Sequence, residues 1–243
     1  MKLLELASEI GNIDREKRIL SRKLDRQRRA NNTDKYNDDG TIKRNQLKWN
    51  NSKRYLKTKN ELAEIQRKLA DIRKQSHNKL ANYILSLGNK VYVEEMNFKG
   101  LKSRSKKTTV NKKTGKINKK KRFGKSIGNK APSMFLTILD NKLKWHGERL
   151  LKVDTYQIKA SQYNHVTDEY IKKGLSERWN DFGDYKIQRD MYSAFIIMCS
   201  NENLKEIDKE KCKSKFRNFK ELHDAEVIRI KGSESKLIGS MGM

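Results

Sequence analysis

Residues 91–101 read Val91-Tyr92-Val93-Glu94-Glu95-Met96-Asn97-Phe98-Lys99-Gly100-Leu101. A short apolar run, alternating and β-branched at its start, reaches two carboxylates and then a glycine. That pattern predicts a buried strand whose C-terminal end presents an acid. An acid at the end of a core strand is costly unless it is paired or holds a metal. On spacing alone the stretch fits equally well a single acid that caps a strand beside a basic loop. A second stretch, Gln188-Arg189-Asp190-Met191-Tyr192-Ser193-Ala194-Phe195, places an Asp at the opening of an amphipathic helix. Met191, Ala194, Phe195 and Met198 are expected on its buried face.

Downstream of the first stretch the composition changes sharply. Between Glu95 and Asp140 there is no carboxylate, but there are 14 lysines and arginines. With Gly100, Gly115, Gly124 and Gly128 interrupting it, residues 98–131 read as a mobile basic loop suited to phosphate backbones. The candidate contacts are Lys99, Lys102, Arg104, Lys106, Lys107, Lys112, Lys113, Lys119, Lys120, Lys121, Arg122 and Lys125. Phe98 and Phe123 are weak candidates for base stacking. Pro132 then opens a helix with Phe135, Leu136, Leu139 and Leu143 on its buried side, ended by Gly147. Leu150 to Asp154 reads as a second core strand. Strand, basic loop, helix, strand is a crossover, which implies parallel neighbours in an α/β sheet. Residues 157–187 look polar and irregular, and 201–243 look like a charged, peripheral tail of one helix and a loose end.

Upstream, Lys2 to Leu6 reads as a remnant strand (residues 1–6), followed by a helical hairpin over residues 7–89. Leu6, Ile10, Ile13, Leu20 and Leu24 trace the first helix, which ends in the basic cluster Arg26 to Arg29. Asn31 to Thr41 is rich in turn residues. Leu62, Ile65, Leu69, Ile72, Leu80, Ile84 and Leu87 trace a second helix from about Leu47, stopped by Gly88. His77 within it reads as a polar neighbour of the core, with no partner to make it a metal ligand.

The whole-chain charge narrows the function. In 243 residues, 57 lysines and arginines face 30 acids, a formal net charge of +27. Such an excess predicts a polyanionic partner, nucleic acid first and an anionic membrane surface second. No apolar run approaches the roughly 20 residues that span a bilayer, and nothing suggests a small-molecule substrate. Two cysteines, Cys199 and Cys212, form neither a metal pattern nor a disulfide framework. A cytoplasmic, nucleoid-associated location is expected.

VYVEEMNFKGL resembles the second nuclease motif of the OrfB/TnpB family, insertion-sequence proteins long called transposases. These are RNA-guided DNA endonucleases related to the type V CRISPR effectors. QRDMYSAF resembles the third motif, KAPSMFLTILDNKLKWHG the family's intervening helix, and VDTYQIKASQYN its strand and Thr-Ser-Gln step. The similarity spans essentially the whole chain and the C-terminal part of such a protein.

The resemblance implies an α/β fold, an incomplete RuvC-like (RNase H-type) domain interrupted by a long helical hairpin, with its core over residues 90–200. It implies DNA and a guide RNA as partners and Mg²⁺ as cofactor. It gives Glu94 and Asp190 the roles of catalytic carboxylates and metal ligands. Glu95, facing the opposite side of the strand, is the neighbour and not the ligand. Two departures qualify this. The family's first catalytic Asp has no counterpart before Asp14, which together with Asp25 reads as a surface acid. Cleavage by this chain is therefore expected to be incomplete, and a nuclease-dead nucleic-acid-binding fragment or regulator is the alternative. The family's four-cysteine zinc ribbon also has no counterpart, since Ser161 to Gln188 holds no cysteine, and no zinc is expected.

Overall fold

The computed structural model describes residues 1–38, 40–43, 48–103, 109–111, 115, 123–174, 176–233, 239 and 241–242. The chain divides into two compact units: residues 6–82, and residues 1–5 with 83–243.

The first unit is built from α1 (Gly11–Ala30), entered through a short 3₁₀ turn at Ser8–Ile10, and most of α2 (Lys53–Leu87). Ala7, Ile10, Ile65 and Leu69 are buried against one another, with Ile13, Leu20 and Ile72 packed around them. The helices run antiparallel: Glu9 meets Ser76 at 3.0 Å, Lys23 meets Glu61 at 3.8 Å and Asn31 meets Ser52 at 2.8 Å. α2 starts at Lys53 and not near Leu47, because Ser52 stops the helix from extending backwards. Its hydroxyl accepts the Tyr55 N–H at 3.2 Å, the bond of an N-cap serine. His77 is fully buried along α2.

In the second unit β1 (Tyr92–Glu94) pairs in parallel with β2 (Leu151–Val153), Glu94 opposite Val153. The crossover runs through α3 (Phe98–Lys102), α4 (Phe123–Lys130) and α5 (Pro132–Lys144). Pro132 occupies the first turn of α5, where its missing N–H has no helical partner to lose. At the other end Asp140 accepts the Leu150 N–H at 3.1 Å and Arg149 Nε at 3.2 Å, which ties α5 to the start of β2. These bonds, the Leu150 N–H first, hold the Asp140 carboxyl below the usual carboxylate range.

Four expectations need correction. Residues 1–5 form no strand. The Leu3 N–H instead donates to Glu226 at 2.6 Å. The ends of the basic segment 98–131 are helical, as α3 and α4, which pack together. A Cβ on Gly124 would fall 2.4 Å from the Lys102 carbonyl oxygen, so glycine lets the two helices approach.

Residues 157–187 are not irregular. After α6 (Thr155–Ile158) come two antiparallel hairpins, β3 (Tyr163–Asn164) with β4 (Glu169–Tyr170) and β5 (Trp179–Asp181) with β6 (Lys186–Gln188). The tail, finally, is not peripheral. α8 (Lys209–Lys231) buries Cys212, Phe219, His223, Glu226 and Ile230.

The core of this unit gathers Val153, Ile158, Tyr163, Ile187, Tyr192, Phe195, Ile196 and Phe219. α7 (Arg189–Met198) supplies its centre, turned slightly from the expected phase. Met191, Tyr192, Phe195 and Ile196 point inward, whereas Ala194 and Met198 are exposed. Phe195 stacks on Phe219 with ring centroids 4.3 Å apart, and both lie near Phe216.

Candidate functional site

Glu94 closes β1, and α7 packs against that strand with Asp190 in its first turn. The local sequence explains both placements. The β-branched run carries Glu94 to the C-terminal end of a parallel pair, the end where α/β sheets expose their ligand crevices. The turn of α7 is fixed by Gln188, whose backbone leaves the strand and whose side chain caps the helix. Gln188 Oε1 accepts the N–H groups of Asp190 at 2.7 Å and Met191 at 2.9 Å. The backbone N–H of Gln188 donates to His223 Nε2 at 3.0 Å, and its side-chain amide reaches the Met241 carbonyl at 3.3 Å. Gln188 is itself fully buried, so Asp190 stands on a rigid mount.

The Asp190 charge reaches Glu94. Burial first, and then the Asp190 charge, pushes the Glu94 carboxyl above its usual range. Glu94 remains open to solvent as a residue, so the penalty on its charge is modest. Its direction is that of a site short of positive charge.

A groove at the same strand ends is lined by Glu94, Glu95, Asn97, Gly100, Asp154 and Tyr156. Asp154 follows β2 as Glu95 follows β1, but its side chain is engaged as the cap of α6, accepting the Tyr156 N–H at 2.7 Å. A second groove places Glu95 with Lys144, Arg149 and Lys152. Among the described residues, no three His, Cys, Asp or Glu side chains cluster to hold a metal ion.

The main chain of β1 has a further property. Leu151 donates to the Val91 carbonyl at 2.9 Å and Glu95 to that of Val153 at 3.0 Å. By alternation, the backbone groups of Tyr92 and Glu94 face away from β2. Among the described residues β1 pairs with β2 alone. Its outer edge is flanked by Phe135 and Leu136 of α5 and by Ala194 and Ile197 of α7.

Of the basic candidates, the structure brings together Lys99 and Lys102 on α3 and Lys125 on α4. Lys102 runs its stem over Gly128, where a Cβ would lie 3.2 Å from Lys102 Cε. Arg104, Lys106, Lys107, Lys112, Lys113, Lys119, Lys120, Lys121 and Arg122 lie outside the described residues, as does the side chain of Phe123. Phe98 is half-buried beside Phe135 and Leu136.

Sequence reasoning missed the groups that hold the site in place. His165 Nδ1 lies 2.8 Å from Tyr192 Oη, and that hydroxyl also accepts the His165 N–H at 3.0 Å. The imidazole sits among Phe182, Phe195 and Phe216, the last with its ring centroid 4.2 Å away. This aromatic packing ties the first hairpin to α7 and α8. Burial lowers the His165 pKa to about 4.

The sign of the pH effect follows. The unfolded imidazole takes a proton near pH 6.5, while the folded one resists until about pH 4. The contribution to stability is whole above the first value and is lost as pH falls toward the second. Between pH 7.5 and 4.5 the wild type should lose about 2–3 kcal/mol more than a His165→Gln variant. Urea unfolding at both pH values measures it, and parallel losses in the two proteins would remove His165 as the cause.

Compared with known families and with curated proteins, the chain matches neither a family model nor a curated relative. Among the described residues, no helix is long and apolar enough to cross a membrane.

Proposed function

We propose that this chain binds nucleic acid through its basic segment and presents Glu94 and Asp190 to a phosphodiester as a metal-binding pair, in the manner of a RuvC-like, RNA-guided DNA endonuclease. The observation that carries the reading is the pair itself: two carboxylates, 96 positions apart in sequence, on elements packed together, with the charge of one raising the pKa of the other. The open edge of β1 supports the finer reading, since a further strand of such a sheet fits there between α5 and α7.

The donor set suits Mg²⁺ in one particular way. Both donors are hard oxygens, and Mg²⁺ is commonly held by one or two carboxylates with water and substrate phosphate completing the shell. Two carboxylates suit an ion that arrives with the phosphate. When bound, Mg²⁺ supplies Lewis-acid neutralisation of phosphate charge and a water of lowered pKa.

The chain's own residues do the positioning. Gln188 fixes the backbone from which Asp190 projects. Asp154 is kept to one orientation by its cap bond. Lys99, Lys102 and Lys125 neutralise phosphates along the flanking strand. The second reading is a nucleic-acid binder that does not cut.

Cleavage of a double-stranded DNA target by the purified chain, with its co-expressed RNA and Mg²⁺, separates the two. A Glu94→Ala, Asp190→Ala double variant is the blank. Cleavage that falls at least about 100-fold in the variant is the expected result for an enzyme. Binding without cleavage in both proteins would leave the second reading, and equal cleavage in both would sink the assignment of the pair.

A further inference from the structure

Cys199 and Cys212 are the two cysteines of the chain, and both are free and fully buried. Cys199 closes the C-terminal end of α7, and Cys212 stands in the first turn of α8. The backbone brings them together. Ser200 and Ile207 form an antiparallel bridge, which sets Cys199 opposite Asp208. The Asp208 N–H donates to the Cys199 carbonyl at 2.8 Å. The Asp208 carbonyl accepts the Cys212 N–H at 3.0 Å, one turn further along α8. Both side chains belong to the core that holds Tyr163, Tyr192 and Phe195.

The two thiols share a hydrogen bond, which holds Cys199 below the usual thiol range and pushes Cys212 above it. Cys199 is therefore the first to ionise, with Cys212 beside it as a thiol. The thiolate is the nucleophile in cysteine chemistry. Packing alone does not ask for sulfur at two neighbouring positions, because a small apolar side chain fills such places as well.

A short loop covers the pair. Leu204 and Ile207 of this loop pack on the same core, whereas Glu202, Asn203, Lys205 and Glu206 are exposed. Leu204 holds a left-handed backbone, with φ at +60°, a strained conformation for leucine. Such a loop opens locally at lower cost than the helices on either side of it.

We propose that Cys199 and Cys212 are a redox site, at which a small hydroperoxide converts the pair to a reversible disulfide that ties the end of α7 to the start of α8. The Cys199 thiolate attacks one peroxide oxygen. An S–O bond forms, the O–O bond breaks, and the departing hydroxide takes up a proton to leave as water. The Cys212 sulfur then attacks the Cys199 sulfur. The S–S bond forms, the S–O bond breaks, and the second hydroxide leaves with the Cys212 proton as water. The dithiol gives up two electrons, and hydrogen peroxide becomes two waters. An external dithiol reverses the step by exchange. α8 already holds the other end of α7, where His223 accepts the Gln188 N–H at 3.0 Å. Oxidation thus fastens the helix that carries Asp190 at both ends. The site depends on no metal and no nucleic acid.

The test is a thiol count on the full chain at low-micromolar concentration, exposed to hydrogen peroxide in EDTA and then denatured. Two thiols per chain should fall to none and return with dithiothreitol. Digestion of the oxidised monomer should yield the Cys199 and Cys212 peptides linked to each other. The bond closes a loop of 14 residues. The folded-to-unfolded ratio of the second unit in urea should therefore rise on the order of 100-fold. Dithiothreitol should undo that rise, and because it does not reduce methionine sulfoxide the reversal isolates the disulfide.

Cys212→Ala should stop at a sulfenic acid on Cys199, trapped by dimedone at least about tenfold more than Cys212 is in Cys199→Ala. Thiols that persist, sulfinic acid in place of the disulfide, or disulfides formed between chains alone would each overturn the proposal. So would a lowered urea midpoint, which would mark the bond as a distortion that the fold resists. Should either variant unfold, the thiol count and the linked peptides from the unaltered chain decide the matter.

Discussion

Replacing Gln188 by Ala should cost on the order of 3 kcal/mol and loosen the mount of Asp190. The estimate follows from what the side chain satisfies. Its Oε1 accepts two helix N-terminal N–H groups, and its amide reaches the Met241 carbonyl. Loss of a helix cap alone costs about 0.5–2 kcal/mol, and each buried group left without a partner adds about 1–3 kcal/mol, not fully additively. Exchange of the Asp190 and Met191 amide hydrogens should quicken along with the fall in the urea midpoint. A loss below about 1 kcal/mol would mean that water or another side chain takes over the cap. Gln188→Glu keeps the acceptor but buries a negative charge beside Asp190, so it should recover only part of the loss.

The larger loss is expected at Phe195. Its ring is 2 % exposed and stacks on Phe219, within the same cluster as Tyr192 and Ile196. Truncation of a buried Phe to Ala typically costs about 3–5 kcal/mol through lost transfer energy and the cavity left behind. Phe195→Ala should therefore unfold the second unit well before the helical hairpin, which has its own separate core. Far-ultraviolet and near-ultraviolet circular dichroism would then melt in two steps. One coincident transition in the variant would show that the two units do not unfold independently.

The sequence was most legible where one pattern governed one element. The alternating run into Glu94 and the apolar side of α5 are such places, and from them the parallel crossover could be anticipated. Within α7 nearly every residue from Met191 to Met198 is apolar or aromatic. Periodicity alone could not choose the phase there, and the Tyr192 hydroxyl, drawn inward by His165, decided it.

The hairpins of residues 163–188 escaped because their strands are two or three residues long, too short to show alternation. The burial of helix α8 escaped because its inward positions include Cys212, His223 and Glu226, which read as surface residues. Glu94 and Asp190 were legible as separate candidates, whereas the effect of Asp190 on Glu94 needed the packing of α7 on β1. Gln188 stood in the sequence only as the first residue of the QRDMYSAF stretch, and the hydrogen bonds it makes are what give it a role.

The bond from Leu3 to Glu226 joins residues 223 positions apart. Together with the burial of Phe219 and His223, it sets an order of events during synthesis. The core of the helical hairpin is complete once residue 82 has emerged, and it can fold while the ribosome is still at work. The unit that carries the acidic pair has no such freedom. Its core waits for α8, so strands β1 and β2 emerge well before the helix that completes their surroundings, and the rate at which this unit closes is set by its most distant partners.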